Sequence, residues 1–154
     1  EDEAAPKHQA FGFQRCGDRR QIGFRPVRHG ILYHVNLGYP MLDAASTLTG
    51  ADWPLAALLD QTPARPCDTH VEQVDAAPSP PAGRIGLFNP DLGLHLGIAF
   101  DPVALPVTAV WRAFQSGTFA LGLAPQTRLD DDETATLAAG GTRDHALTFT
   151  LGIE

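Results

Sequence analysis

Cationic clusters are missing from this chain. Lys and Arg number 11 against 18 Asp and Glu, for a net charge of −7 at neutral pH, and no basic run stands out beyond Arg19-Arg20. Nucleic acids and anionic membrane surfaces are held mainly by Lys and Arg that neutralise their charge, so neither is an expected partner. Cysteine is nearly absent too. Cys16 and Cys67 lie far apart with no disulfide-dense pattern around them, which favours free thiols in a reducing, cytoplasmic setting. No apolar run approaches transmembrane length, and no charged-then-apolar leader opens the sequence. No Gly-rich loop leads from a strand into a helix to cradle phosphate, and no nucleophile elbow is present. His70, His95 and His145 fall on separate segments without metal-ligand spacing, so neither a metal nor another cofactor is expected.

Helical periodicity is equally scarce. Its single candidate is Trp53-Pro-Leu-Ala-Ala-Leu-Leu59, with Asp52 as N-cap and Pro54 near the first turn. Period-two alternation is abundant instead, between clusters of Gly, Pro, Asn and Asp. Phe11 and Phe13 flank Gly12 as a short strand, and Gln14 to Gln21 reads as a loop or a strand edge. His70 to Val74 reads as a strand, and Asp75 to Gly83, with three prolines, as a linker. The plainest hairpin is Arg84 to Phe100, turning at Asn89-Pro-Asp-Leu-Gly93. Its second arm puts Leu92, Leu94, Leu96, Ile98 and Phe100 on one face. Gly93, His95, Gly97 and Ala99 make a face almost without bulk, suited to a close layer or a concave surface. Val107 to Phe114 and Thr118 to Leu123 follow, joined at Ser116-Gly117. After the acidic loop Asp130 to Glu133 and a turn at Leu137 to Gly141, His145 to Ile153 alternates with Leu147, Phe149, Leu151 and Ile153 inward. Some eight short strands predict an all-β antiparallel β-sandwich, and 154 residues suffice for one domain with a core but not for two.

One strand carries polar groups that it does not need for folding. Ile31, Tyr33, Val35 and Leu37 form an apolar face, whereas His34 and Asn36 share the other, ahead of Gly38 and of Pro40, which ends the ladder. An imidazole and a carboxamide at i and i+2 are a convergent donor and acceptor pair able to grip hydroxyls. Tyr39 reads as packing.

Tyr33-His-Val-Asn-Leu-Gly-Tyr-Pro-Met-Leu-Asp43 resembles the Leu-Tyr-His-x-Asn-x-Gly-Tyr-Pro-Leu-Leu motif of an uncharacterised aldose 1-epimerase-like family in the galactose mutarotase-like superfamily. Gly23-Phe-Arg-Pro26, His70-Val-Glu-Gln-Val74, Leu87 to Leu94, Leu105-Pro106 with Trp111, and Leu121-Gly-Leu-Ala-Pro125 are similar to further motifs in the family's order. The resemblance implies the large double-sheet sandwich of that superfamily. It also implies that residues 1–154 are the C-terminal part of a single mutarotase-like, carbohydrate-binding domain, because the family fold takes roughly twice this length, a size still open to one β domain. The missing N-terminal half would then be a structural partner, and a lone fragment would expose sheet edges and be aggregation-prone.

The implied substrate is a small carbohydrate, a hexose or a modified sugar, and the implied reaction is interconversion of its anomers. A base takes the proton of the C1 hydroxyl while an acid protonates the ring oxygen, and the opened chain recloses on either face. By the resemblance His34 is the acid, and a histidine can hold or release a proton near neutrality. Asn36, Glu72, Gln126 and Trp111 are the implied substrate contacts, Trp111 as a stacking platform. The family's base is a Glu in a Gly-Leu-Glu-Pro motif, and Ala124 occupies that position here. Losing one general acid or base typically lowers the rate by about 10²–10⁴. The sequence therefore leaves open an anomer-interconverting isomerase, a sugar-binding or sensing module without turnover, and an inactive fragment. On residues alone, His34 and Asn36 also fit a structural pair that closes a loop, and Trp111 fits a core position.

Overall fold

The computed structural model describes residues 13–20, 23–50, 72–115, 118–127 and 136–153, and among them there are strands and no helix. The helix expected at 53–59 and the thiol of Cys67 lie outside the described residues. The strands are β1 (Phe13–Arg20), β2 (Val27–Arg28), β3 (Val35–Gly38), β4 (Thr47–Thr49), β5 (Glu72–Pro78) and β6 (Arg84–Asn89), then β7 (Leu94–Phe100), β8 (Val107–Gln115), β9 (Thr118–Gln126), β10 (Thr136–Leu137) and β11 (Thr142–Ile153). A five-stranded sheet runs β1-β11-β7-β6-β4, a four-stranded sheet runs β3-β9-β8-β5, and β10 pairs with β2. All pairings are antiparallel. This is the expected all-β sandwich.

Alternation decides what lies between the sheets. The four-stranded sheet contributes Leu37, Val110, Phe114, Leu121 and Leu123, and the five-stranded sheet contributes Ile85, Leu87, Ile98, Phe100 and Leu147, all in one buried cluster. Full burial of one such side chain is worth about 1.5–3 kcal/mol, so β9 alone, through Leu121 and Leu123, commits several kcal/mol to fixing the sheet in place. Arg112 also points inward from β8. It is buried, and its guanidinium pairs with the carboxylate of Asp75 on the edge strand β5, where the acid stays half in solvent.

Sequence and structure part company in three places. The linker expected from Asp75 begins later, because Asp75, Ala76, Ala77 and Pro78 continue the ladder against Val110, Ala109, Thr108 and Val107. A proline is tolerated there because β5 is an edge strand, where a missing N–H leaves no ladder bond unmade. Of the two readings open for Gln14 to Gln21, the strand holds over Gln14 to Arg20, which pairs along β11 from Thr148 to Thr142 at the edge of its sheet. Along β11, Leu147 is buried, but Leu151 and Ile153, expected inward, are exposed. Tyr39 stands 83% exposed and does not pack.

A polar hub closes the turn after β3. Asn89, fully buried at the end of β6, donates to the carbonyls of Pro40 and Met41 at 2.8 and 3.4 Å and to Asp43 Oδ2 at 2.8 Å, while its Oδ1 accepts from Leu92 N–H at 3.1 Å. Asp43 Oδ1 accepts in turn from the N–H groups of Ala45 and Ser46 and from the Ser46 hydroxyl. Sequence reading took Asn89 for an ordinary turn residue. The Asp43-x-x-Ser46 spacing, which favours side-chain to backbone bonds in turns, is the signal that could have marked the hub.

Candidate functional site

The candidate site is the outer face of the four-stranded sheet. Leu121 and Leu123 face the core, so Ala120, Gly122 and Ala124 occupy the opposite side of β9. Asn36 of β3 stands directly across from Gly122, and Gly122 across from Trp111 of β8, so the three make one row. The same register continues past the start of β3, through the Leu32–Gln126 bridge and a 3.1 Å bond from Tyr33 N–H to the Pro125 carbonyl. His34 therefore sits opposite Ala124.

The exposed imidazole of His34 does not stand upright over Ala124 but leans along the sheet. A Cβ placed on Gly122 would collide with His34 Cε1 and lie 3.0 and 3.2 Å from Nε2 and Nδ1. The ring thus lies across the bare backbone of Gly122, and its centroid is 5.5 Å from that of Trp111 at an interplanar angle of 63°, an edge contact. Glycine in a strand interior marks a close approach, and here the approaching group is the imidazole. The role of Gly122 escaped sequence reading, although its place inside the Leu121-Gly-Leu-Ala-Pro125 motif was the available sign. Asn36 is exposed beside His34, and Trp111 is half-buried. The arrangement offers hydroxyl-binding groups next to an aromatic wall, which is what a polyhydroxylated ligand requires.

The remaining predicted contacts are placed differently. Ala124 shares the face of His34 and is only 2% exposed, so no carboxylate stands at that position and little of its methyl is open to solvent. Gln126 continues the same alternation past Ala124 but is 8% exposed, and its Oε1 has no hydrogen-bond partner. Glu72 opens β5 opposite Ala113, one step of two residues from the Val74–Trp111 pair. The structure thus brings His34, Asn36 and Trp111 together, leaves Gln126 beneath the surface, and sets the Glu72 backbone at the neighbouring register position. On the other side of the molecule, His95, Gly97 and Ala99 line a concavity of about 620 Å³ with Thr49, Arg84 and Thr150, and His95 Nε2 lies 3.3 Å from Thr49 Oγ1. None of the predicted sugar contacts is there.

Residues 20–150 match a family described as a domain of unknown function, DUF4432. The chain belongs to that family, which is galactose mutarotase-like. No curated protein matches this DUF4432 sequence. Among solved structures it is similar to a proposed aldose 1-epimerase from Klebsiella pneumoniae, with a TM-score of 0.74 and 20% identity over 91% of this chain and 42% of that one. It is also similar to a Synechocystis protein, with a TM-score of 0.67 and 17% identity over 93% and 51% of the two chains. A third likeness is to a proposed aldose 1-epimerase from Escherichia coli, with a TM-score of 0.65 and 14% identity over 93% and 57%. The DUF4432 chain spans about half the length of these structures. At such identities the likeness is one of fold.

Proposed function

We propose that this protein binds a small carbohydrate, a hexose or a modified hexose, on the outer face of its four-stranded sheet. His34 and Asn36 take the hydroxyls, and Trp111 is the wall against the ring. The observation that carries the reading is the imidazole of His34, exposed, laid over Gly122 and held edge-on to Trp111, with Asn36 in the adjoining row. A histidine serving only to close a loop would have its ring nitrogens turned into the fold. The absence of a carboxylate at Ala124 favours binding without turnover. Two of the fold neighbours are proposed aldose 1-epimerases, which lends support to the ligand class.

Turnover is the second reading, favoured by the exposed His34, whose imidazole is a group able to hold or release a proton; the base would have to come from elsewhere, since Glu72 pairs with Ala113 and not with Ala109, the partner of Ala124. Titrating isotope-labelled protein with D-glucose and D-galactose, while following freshly dissolved sugar by polarimetry, tests both. Shifts centred on His34, Asn36 and Trp111 without faster mutarotation support the binding module; acceleration supports the isomerase. Shifts confined to the Thr49, Arg84 and His95 side would refute the site. Ala124→Glu adds the missing group across from His34, where directly opposed Cβ atoms stand about 4.5–5.5 Å apart. That spacing suits an acid and a base acting on the adjacent ring oxygen and C1 hydroxyl, and the variant should gain about 10²–10⁴ in mutarotation rate.

A further inference from the structure

The segment that delivers His34 is fastened to both sheets. On one side Ile31 N–H donates to Thr127 Oγ1 at 3.0 Å, Thr127 N–H to the Ile31 carbonyl at 3.0 Å, and Tyr33 N–H to the Pro125 carbonyl at 3.1 Å, all toward β9. On the other side two contacts converge on a single residue of β11. His29 Nε2 lies 3.2 Å from His145 Nε2, and the Tyr33 hydroxyl donates to the His145 carbonyl at 3.4 Å. We propose that the His29–His145 pair is a proton-sensitive clasp that positions residues 29–34, and with them the His34 imidazole, and that opens when a second proton is added. The clasp rests on the sugar-site reading only for its consequence in binding.

Ring geometry says what joins the two imidazoles. Their centroids are 5.5 Å apart and their planes differ by 17°. The centroid separation exceeds the nitrogen separation by the two ring radii, so both Nε2 atoms lie on the line between the rings. The rings meet nose to nose. Two nitrogens aimed at each other across 3.2 Å cannot converge on a shared metal with bonds of about 2.0–2.1 Å at a tetrahedral angle, but they can share one N–H···N bond. His145 is 2% exposed, and its Nδ1 is buried without a hydrogen-bond partner. A buried bare lone pair is tolerated better than a buried orphan N–H. His145 therefore carries its proton on Nε2 and donates it, and His29 Nε2 accepts. In that arrangement a further proton has two places to go. It can enter the dry Nδ1 of His145, or it can take the His29 lone pair and break the bond.

The surroundings oppose a charge on His145. Burial chiefly holds its pKa below the ordinary 6.5, and His29 and Arg143 push the same way, against the pull of Asp144 and Asp101. Gly17 faces it from β1. The sign follows from proton counting. Above 6.5 the imidazole is neutral whether the clasp is open or shut. As the pH falls below that value the opened form takes up a proton that the closed form refuses, so closure weakens by up to about tenfold per pH unit per proton until the lowered value is reached.

Imidazole ¹⁵N NMR on the whole chain tests the assignment. At pH 8 we expect His145 Nε2 to be protonated with a bare Nδ1, and His29 Nε2 to be bare. On acidification His145 should stay neutral through 6.5, and the ring resonances of His34 should shift in the step that breaks the pair. His29→Phe should displace the His34 resonances already at neutral pH and abolish the step. His29→Gln, whose amide oxygen can accept from His145 Nε2–H, should restore their neutral-pH positions. A protonated His145 Nδ1 at pH 8, titration of His145 at or above 6.5, or His34 resonances indifferent to the step would overturn the clasp. Should His29→Phe fail to fold, the wild-type proton positions and the shared step decide alone. The measurement uses no sugar, so it stands apart from whether D-glucose binds. If D-glucose does bind, its affinity should fall by up to tenfold per pH unit over the same window.

Discussion

Replacing Gly122 by alanine separates stability from site geometry. The new methyl group would occupy the space where His34 Cε1 now rests and would lie 3.0 and 3.2 Å from the two ring nitrogens. Backbone does not obstruct it, because the colliding atoms are the far end of an exposed side chain that can swing outward at little cost. Glycine inside a strand is less favourable than alanine by roughly 0.5–1 kcal/mol, so Gly122→Ala should melt at the same temperature as the parent or slightly above it. The site should nevertheless fail. With its resting place filled, the imidazole leaves the edge of Trp111, and a hydrogen bond to a sugar hydroxyl worth about 0.5–1.5 kcal/mol is lost. That is a drop in D-glucose or D-galactose affinity of roughly two- to twelvefold. Two readings check it together, a thermal melt and the His34 Hε1 resonance, which feels the Trp111 ring. A variant destabilised by 2 kcal/mol or more would show that His34 cannot move and is a packing residue. An unchanged Hε1 shift with unchanged affinity would show that Gly122 does not support the ring.

Asn89→Ala removes four hydrogen bonds from a fully buried side chain and strands the carbonyl of Pro40, so it should lower the unfolding free energy by about 2–3 kcal/mol, read as a lower denaturant midpoint. The carboxyl of Asp43 gives the hub a pH dependence. Partial burial raises its pKa, but the bonds from Asn89, the Ala45 N–H and Ser46 outweigh this and leave it below the ordinary 3.8. A depressed carboxylate stabilises the fold at and above neutrality, and that contribution is lost as the pH falls below 3.8 toward the lowered value. Asp43→Asn should flatten the acid limb of a stability-against-pH curve in that window, and a curve identical to the parent would refute the assignment. Gly83→Ala should be worse than Gly122→Ala despite the same chemistry. Gly83 has φ +59°, and an added Cβ would strike the Phe100 carbonyl, which is backbone, so a loss of more than about 2 kcal/mol is expected by chemical denaturation.

How much could be read in advance follows from how far each feature reaches along the chain. Period-two alternation is local, and it placed the β6–β7 hairpin, the apolar face of residues 31–37 and the inward Leu121 and Leu123. The bulkless face of His95, Gly97 and Ala99 was legible for the same reason, and it does line a concavity. Strand ends were less legible. Asp75 to Pro78 has loop-like composition, but its neighbour β8 supplies the ladder, and only the position of β5 at a sheet edge makes a proline acceptable. The groups that fix the site were the least visible. His29 and His145 are 116 positions apart, and Asn89 and Asp43 are 46 apart. Neither pair leaves a trace in local pattern, because each member alone resembles an ordinary loop or strand residue.

Strand β9 shows why the site tolerates so little bulk. Its inner positions, Leu121 and Leu123, are large because they fill the space between the sheets, and its outer positions, Ala120, Gly122 and Ala124, are small. Solvation alone asks for polar or β-branched side chains on an outer face, so an unbroken series of small residues needs another cause. The cause is next door. His34 crosses the strand lengthwise, and every atom added under it lifts the ring away from Trp111. Glycine is required only where the ring lies flat, at 122. At 124, opposite His34 in the register but two residues from the glycine under the ring, a longer side chain does not take the ring's resting place. The two positions should therefore answer differently to substitution: alanine at 122 disables the surface, whereas glutamate at 124 leaves His34 in place and adds an acidic partner to it. If both substitutions moved the His34 ring alike, the small-residue series would reflect packing alone, and the face would lose its claim to be a binding site.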